Sequence, residues 1–521
     1  MSRSPSSPPV SGELLLILDF GSQYTQLIAR RFRELGVYCE ILPCTASADS
    51  IWTRNPRGVI LSGGPESVYG DGAPAAPAGL FDASVPLLGV CYGMQLMARA
   101  TGGDVRSAPR RSYGPATLTR SGESALFAGV PERFGVWASH GDLVHGLPGG
   151  FDRIGGTGQA AIAAFEHRER AIYGLQFHPE VAHTDHGARI LSNFAFGICG
   201  MSGGWSPESH AARAIEETRR QVGDGQVICG ASGGVDSTVT AMLVHQAVGD
   251  RLHCVFVDNG LLRHREAERV FEAFEAGLGI PLRVVRAGPS FLRRLAGISD
   301  PEQKRKEIGA EFIRVFEEAA RGIAGAGFLA QGTLYPDVIE SVSVAGPSAV
   351  IKSHHNVGGL PEKMNLRLVE PLRDLFKDEV RVIGRALGAP ADLIDRHPFP
   401  GPGLAVRMLG PVDEEGLRML READAILEEQ IRAAGWYDRV WQAFCVLLPV
   451  RTVGVMGDAR TWERAVAIRA VESRDGMTAD WAPLPRGLLA QVSNRITGEV
   501  RGVNRVVLDI TSKPPGTIEW E

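Results

Sequence analysis

Cys91 stands in the frame Gly89-Val90-Cys91-Tyr92-Gly93, a Gly-x-Cys-x-Gly turn between an apolar run and a helical one. That frame is a nucleophile elbow with sulfur in place of oxygen. The flanking glycines permit a sharp turn, and a helix start favours thiolate over thiol. A sulfur nucleophile needs a base and a group to orient that base. His178 and Glu180, at the end of the apolar run Ala171–Phe177, can fill both roles. His178 can take the thiol proton, while Glu180 can fix the imidazole tautomer and stabilise its cation. The competing reading is a buried structural cysteine, which the elbow frame disfavours. His140, His145, His167, His183 and His186 are given no catalytic role.

A second chemical stretch is Val227-Ile228-Cys229-Gly230-Ala231-Ser232-Gly233-Gly234-Val235-Asp236-Ser237-Thr238. A short buried strand, a turn of small residues and a helix start make an anion nest, because successive N–H groups converge there and glycines admit a phosphate. It is not a Walker A loop, since the Gly-Lys-Ser/Thr ending is absent. An acid at Asp236 suits a metal-bridged leaving group. The string Ser232-Gly233-Gly234-Val235-Asp236-Ser237 resembles the PP-loop of ATP pyrophosphatases, which cleave ATP to AMP and pyrophosphate.

These residues must be carried by more than one core, because 521 residues exceed a single hydrophobic core. Strand–helix alternation predicts an α/β protein with two doubly wound parallel-sheet domains followed by a small α+β C-terminal domain. The expected boundaries are a disordered tail over 1–13, a first domain over 14–203, a second over 204–396 and a third over 397–521. In the first, runs at Leu14–Leu18, Val37–Ile41, Gly58–Leu61 and Val85–Val90 read as strands. In the second, strands are expected at Leu252–Val257, Leu282–Val285 and Phe328–Gln331. Helices are expected at Pro207–Val222, capped by Ser206, and at Pro301–Ala320. The linker from Arg396 to Leu404 is too rich in proline and glycine for a helix or inner strand. Beyond it a helix over Glu414–Ala434 precedes strands at Ala443–Val450, Thr452–Met456 and Arg505–Ile510.

A net charge of −5 argues against general nucleic-acid or acidic-membrane binding. Seven scattered cysteines with no Cys-x-x-Cys pair favour a reducing, cytoplasmic setting over a zinc cluster or disulfide scaffold. No apolar run is long enough to span a bilayer, and the first residues lack the apolar region of a signal peptide.

Cys91, His178 and Glu180, with Ile60–Pro65 and Gln176-Phe177-His178-Pro179-Glu180, resemble the class I glutamine amidotransferases. That resemblance implies glutamine hydrolysis through a γ-glutamyl thioester. It also implies an oxyanion hole from the N–H groups of Gly64 and Tyr92, and a substrate contact from Gln95. Trp137-Ala138-Ser139-His140-Gly141-Asp142 matches a further string of that family.

Further strings narrow the likeness. Asp300–Lys306, Thr333-Leu334-Tyr335-Pro336-Asp337, Lys352–Pro361 and the closing Thr511–Glu521 resemble the glutamine-hydrolysing GMP synthases. The resemblance implies ATP-dependent amidation of XMP to GMP through adenylyl-XMP, with Mg2+ accompanying ATP, and a homodimer formed through the C-terminal domain. Lys513 and Glu519 are implied to touch XMP. Arg305, in a basic run that otherwise reads as a solvated helix face, could meet a substrate phosphate. Lys352, His354, His355 and Asn356 suit a lid over phosphates. Asp236 and Asp337, with Glu340 nearby, could assist a metal ion. Asp258 could read adenosine or simply end a strand.

Two positions depart from the family pattern: Ala231 replaces a larger aliphatic residue, and Arg286 stands where Asp is common. Two alternatives remain open: another PP-loop amidation on a different acceptor, and a catalytically inactive nucleotide-sensing protein. Intact Cys91, His178, Glu180 and Asp236 weigh against the second.

Overall fold

The run Leu15–Asp19 is buried along almost its whole length, as are Gly58–Leu61 and Leu87–Val90. Unbroken apolar runs of this kind need cover on both faces, which a parallel sheet flanked by helices provides. The computed structural model describes residues 12–65, 67–342, 366–456, 459–473 and 478–521. The expected lid residues Lys352, His354, His355 and Asn356, the side chain of Glu340 and most of the N-terminal tail lie outside the described residues. The chain forms two compact units, one ending at Arg213 and the other beginning at Ala214, with the segment from Pro336 grouped with the first.

In the first unit the strands are β1 Leu15–Asp19, β2 Cys39–Pro43, β3 Gly58–Leu61, β4 Leu87–Val90, β5 Asp104–Arg120, β6 Arg133–Gly146, β7 Phe151–Gly156, β8 Ala164–His167 and β9 Ile172–Leu175. They make one nine-stranded sheet in the order β2-β1-β3-β4-β9-β8-β7-β5-β6. The half from β2 to β9 is parallel, as expected. The half from β8 to β6 is antiparallel, an extension that the expectation of a parallel sheet did not include. Its physical signature is the alternation of buried and partly exposed residues along β6, which marks a strand with one wetted face. The core gathers Leu16, Leu18, Val59, Leu61, Met94, Met97 and Phe165.

In the second unit β10 Gln226–Gly230, β11 Leu252–Asp258, β12 Leu282–Arg286, β13 Ala326–Ala330 and β14 Arg367–Val369 form a sheet in the order β12-β11-β10-β13-β14. Every pairing in it is parallel. The order reverses about β10, so the loop after β10 lies at the switch point where such sheets bind ligands. Asp300 caps the helix Pro301–Arg321 by accepting from the Gln303 N–H at 2.8 Å. Ser206 likewise accepts from Ser209 N–H at 3.1 Å at the start of the helix Pro207–Val222.

The C-terminal part of this unit adds β15 Gln442–Met456, β16 Ala459–Glu472, β17 Asp480–Trp481 and β18 Val503–Asp509. The two strands expected at 443–456 are one, with a register break between Leu447 and Arg451. Pro449 falls in that break; it has no N–H for the ladder, so the strand bulges instead of ending. Residues expected in separate domains share one core, in which Ile228, Val255 and Phe316 are continuous with Leu404, Leu420, Leu447 and Val492.

Candidate active site

At the end of β4, Cys91 takes φ 52° and ψ −104° ahead of the helix Tyr92–Ala100. A non-glycine residue held there stores strain, which is characteristic of functional turns. The flanking glycines are required by space: a Cβ on Gly93 would come within 2.4 Å of Leu61 O, and one on Gly89 within 2.7 Å of Gly93. The elbow is therefore closed tightly over β3, and the thiol is 6% exposed.

His178 and Glu180 follow β9, the parallel neighbour of β4, so strand pairing delivers them to the elbow. His178 Nδ1 lies 2.7 Å from Glu180 Oε1. An ionised carboxylate can only accept, so Nδ1 carries the proton and Nε2 is left for the thiol. Burial alone would lower the His178 pKa, but the charge of Glu180 and hydrogen bonds to Cys91 and Glu180 outweigh it and hold the imidazole well above its ordinary value. His140, by contrast, is pushed down to about 4 by burial and by His178, against the pull of Asp142. Of these two histidines His178 is the one built to carry a proton.

Several supporting groups were not singled out from sequence. The Cys91 thiol donates to Ser139 O at 3.3 Å, and Gln176 Nε2 approaches its sulfur at 3.9 Å. Arg31 donates to Glu180 O at 2.9 Å, Thr184 donates to His178 O at 2.6 Å, and Tyr24 packs edge-on against the His178 ring at 5.0 Å. Gln176 had a legible signal, standing two residues before His178 in extended chain, where alternate side chains share a side. Arg31 and Tyr24 come from more than a hundred positions earlier and had none.

The glycines that precede the elbow in sequence also converge here. A Cβ on Gly63 would sit 3.3 Å from His178 Cε1, and one on Gly64 3.0 Å from the Tyr92 ring. Gln95 is 3% exposed, and its Nε2 donates to Asp142 O at 2.9 Å. Asp142, from the 137–142 string, is held by Ser67 at 2.5 Å and Ser107 at 3.0 Å.

In the second unit the loop 232–237 joins β10 to the helix Val235–Val248. Ser232 and Ser237 share a hydroxyl–hydroxyl bond of 2.9 Å, Ser232 N–H donates to Ser237 Oγ at 3.1 Å, and Gly234 N–H donates to Ser232 Oγ at 3.3 Å. Gly233 sits at φ +71°, and a Cβ there would come 2.4 Å from Val270 Cγ2, so both conformation and space demand glycine. Ala231 is buried, as a packing position would be. Asp236 has Lys377 Nζ 3.4 Å from its Oδ2. Asp337, in the segment grouped with the first unit, lies in the first turn of the helix Tyr335–Val342. Among the described residues no group of three or more His, Cys, Asp or Glu gathers as a metal cage. One carboxylate at an anion nest fits Mg2+, which is commonly held by one or two carboxylates together with substrate phosphates.

The basic run is split: Lys306 keeps the solvated position that is the default for such a sequence, whereas Lys304 does not. Lys304 is fully buried, and its Nζ donates to Ala405 O at 3.1 Å, Met408 O at 2.8 Å and Glu521 Oε2 at 2.5 Å. Arg305 donates to Glu521 O at 2.6 Å. Glu519 is gripped by Arg407 through both oxygens at 2.8 and 3.0 Å, and accepts from Gln442 at 2.8 Å. Lys513 pairs with Ala479 through its main chain. Asp258 ends β11 by accepting from the Gly260 N–H at 3.0 Å, and Arg286 is its register partner on β12.

Residues 16–198 match the family described as glutamine amidotransferase class-I, and residues 429–520 match the GMP synthase C terminal domain. The glutamine-hydrolysing GMP synthase of Nitratidesulfovibrio vulgaris (strain DP4) is 54% identical over 509 residues, covering 97% of this chain and 99% of that one. Its counterpart from Elusimicrobium minutum (strain Pei191) is 56% identical over 508 residues, with the same coverage. That of Aquifex aeolicus (strain VF5) is 54% identical over 507 residues, again covering 97% and 99%. The chain belongs to the family of glutamine-hydrolysing GMP synthases.

Proposed function

We propose that this chain is a carbon–nitrogen ligase that amidates XMP to GMP, drawing ammonia from glutamine and cleaving ATP to AMP and pyrophosphate. The observation that carries the reading is Cys91 set on a strained elbow against the His178–Glu180 pair, in a chain that matches its relatives over 97% of its length.

At the thiol, His178 Nε2 takes the Cys91 proton and the sulfur bonds to the side-chain amide carbon of glutamine. The N–H groups of Gly64 and Tyr92 face the oxygen that becomes negative, and Gln95 contacts the substrate. His178 returns its proton to the departing ammonia. It then activates water to hydrolyse the thioester, which yields glutamate and restores Cys91.

At the loop, Ser232, Gly233, Gly234, Val235, Asp236 and Ser237 cradle the phosphates of ATP, as a PP-loop. Asp236 would hold Mg2+ alongside the nucleotide, and the bound ion would supply neutralisation of the departing pyrophosphate. The C2 oxygen of XMP attacks the α-phosphorus and pyrophosphate leaves. Ammonia then adds at C2, and AMP departs with that oxygen. Lys513 and the remaining guanidinium nitrogens of Arg305 are assigned to the XMP phosphate. Glu519, oriented by Arg407 and Gln442, is assigned to its sugar or base. Lys352, His354, His355 and Asn356 are assigned to the lid.

The partner in solution is a second copy. Val453 and Trp462 are register partners on β15 and β16 and are 40% and 60% exposed, with Val455 beside them at 78%. Exposed apolar surface of this kind marks an interaction face. All seven cysteines are free thiols, which suits a reducing cytoplasm. The direct test is incubation with XMP, Mg-ATP and glutamine. GMP, AMP, pyrophosphate and glutamate in equal amounts are expected, whereas ADP and phosphate would contradict the loop chemistry.

A further inference from the structure

The loop 232–237 opens its helix at Gly234 without a capping side chain. Its tightest turn is held instead from outside. Arg396 Nη1 donates to Gly233 O at 2.6 Å, while its Nη2 pairs with Glu266. Glu266 is 4% exposed, and its second oxygen accepts from Arg263 N–H at 3.0 Å. The Arg263 guanidinium lies 3.6 Å from Asp424, whose other oxygen accepts from Cys445 N–H, on β15, at 2.9 Å. The same guanidinium stands 4.7 Å from the centre of the Phe399 ring, and Arg407, the residue that grips Glu519, stands 5.1 Å from it. A continuous set of buried and partly buried charged and aromatic groups therefore joins Gly233 to Glu519, and none of the chemistry above uses the groups between them.

We propose that Arg396 is a positioning residue for the ATP loop, braced through Glu266 and Arg263 on Asp424, so that the loop and the strands behind Glu519 are set as one piece. This rests on the function proposed above. The guanidinium fork suits the task because it reaches two acceptors in fixed geometry, the Gly233 carbonyl on one arm and a carboxylate on the other; a lysine ammonium cannot hold both in that plane. Val270, four residues after Glu266, fills the space against Gly233, so the segment that anchors Arg396 also supports the turn. Burial pushes the Glu266 carboxyl up, yet Arg396 and Arg263 hold it below the ordinary range. Burial likewise pulls Arg263 down, and Asp424 and Glu266 hold it up. Removing one member of such a network leaves its partner as an uncompensated buried charge, so the loop loses its reference point.

The test is steady-state synthesis from XMP, Mg-ATP and ammonium, which leaves the Cys91 chemistry out. For Arg396→Met the KM for ATP should rise at least about tenfold, the scale of a lost charged hydrogen bond, with the KM for XMP, and in a separate assay with glutamine the rate of its hydrolysis, within about twofold of wild type. Arg396→Lys should recover part of the loss. Asp424→Asn should raise the ATP KM less, about threefold, and the double variant should be no worse than Arg396→Met alone, because residues in one network are not additive. An ATP KM unchanged in Arg396→Met, or one that rises equally with the XMP KM, overturns the assignment; losses that multiply in the double variant overturn the network. If Arg396→Met does not fold, Glu266→Gln keeps the shape and should still raise the ATP KM; no change there is equally fatal. Wild-type protein yielding no AMP would instead remove the underlying function.

Discussion

The thiol site and the glycine loop solve the problem of holding reactive groups in opposite ways. At the thiol the chemistry resides in side chains: Cys91, His178 and Glu180 are each 6% exposed or less, and strand pairing fixes their spacing. At the loop the chemistry proposed above resides in main-chain N–H groups and in hydroxyls open to solvent, and the turn is held by residues remote in sequence, Val270 and Arg396. Covalent catalysis needs a proton path that works before substrate arrives, so its groups are assembled and buried. Phosphate transfer relies on positioning and on charges that come with the nucleotide, so the loop can remain an open cradle.

If that contrast is right, the two sites should fail separately. The largest expected effect is from Cys91→Ala, which should lower glutamine-driven synthesis by about 10^4-fold or more while synthesis from added ammonium persists. Loss of both would show the thiol to be more than an ammonia source. Next comes Glu180→Gln, with an expected fall of about 10^3-fold in glutamine hydrolysis, since the imidazole loses its orienting charge. The same variant carries a pH signature. The raised His178 pKa contributes stability that is complete below the ordinary imidazole range and is lost as pH rises through the folded value. Ring-proton NMR should therefore place the His178 midpoint above the ordinary value in wild type and lower in Glu180→Gln; an unmoved midpoint would break the assignment.

Asp236→Asn should reduce AMP formation by about 10^2-fold and leave glutamine hydrolysis unchanged, the mirror image of Cys91→Ala. The remaining effect is on stability alone and leaves both reactions unchanged. Lys304→Met strips the partner from Glu521 and from two carbonyls in a fully buried site, and should cost about 3 kcal/mol, read by urea unfolding. A cost near zero would make the Lys304 clasp incidental.

The same contrast explains what could be read from sequence. The triad was legible because its members lie in two short strings at the ends of adjacent parallel strands, and the loop because its glycines and serines are contiguous. The network behind the loop was not legible: Arg396, at the start of the Pro/Gly-rich linker, and Glu266 and Asp424, in ordinary helical sequence, are charged residues far apart in the chain, brought together by tertiary packing. Lys304 was misjudged for a related reason. A basic run on a helix usually faces water, and nothing local signals that Glu521 and two carbonyls wait in the core. The antiparallel half of the first sheet was passed over although β6 alternates, because its partner β5 is interrupted by a register shift between Ser107 and Ser112. The expected division of β15 at Arg451 is absent from the structure, which carries the strand through a register shift between Leu447 and Arg451.

The most direct measurement of whether the open loop performs adenylation follows one oxygen atom. XMP labelled with 18O at C2 would be turned over with Mg-ATP and glutamine, and the products separated by mass. Label in the phosphate of AMP is expected, because the attacking oxygen leaves with AMP when ammonia arrives. Label in inorganic phosphate or in water would contradict it.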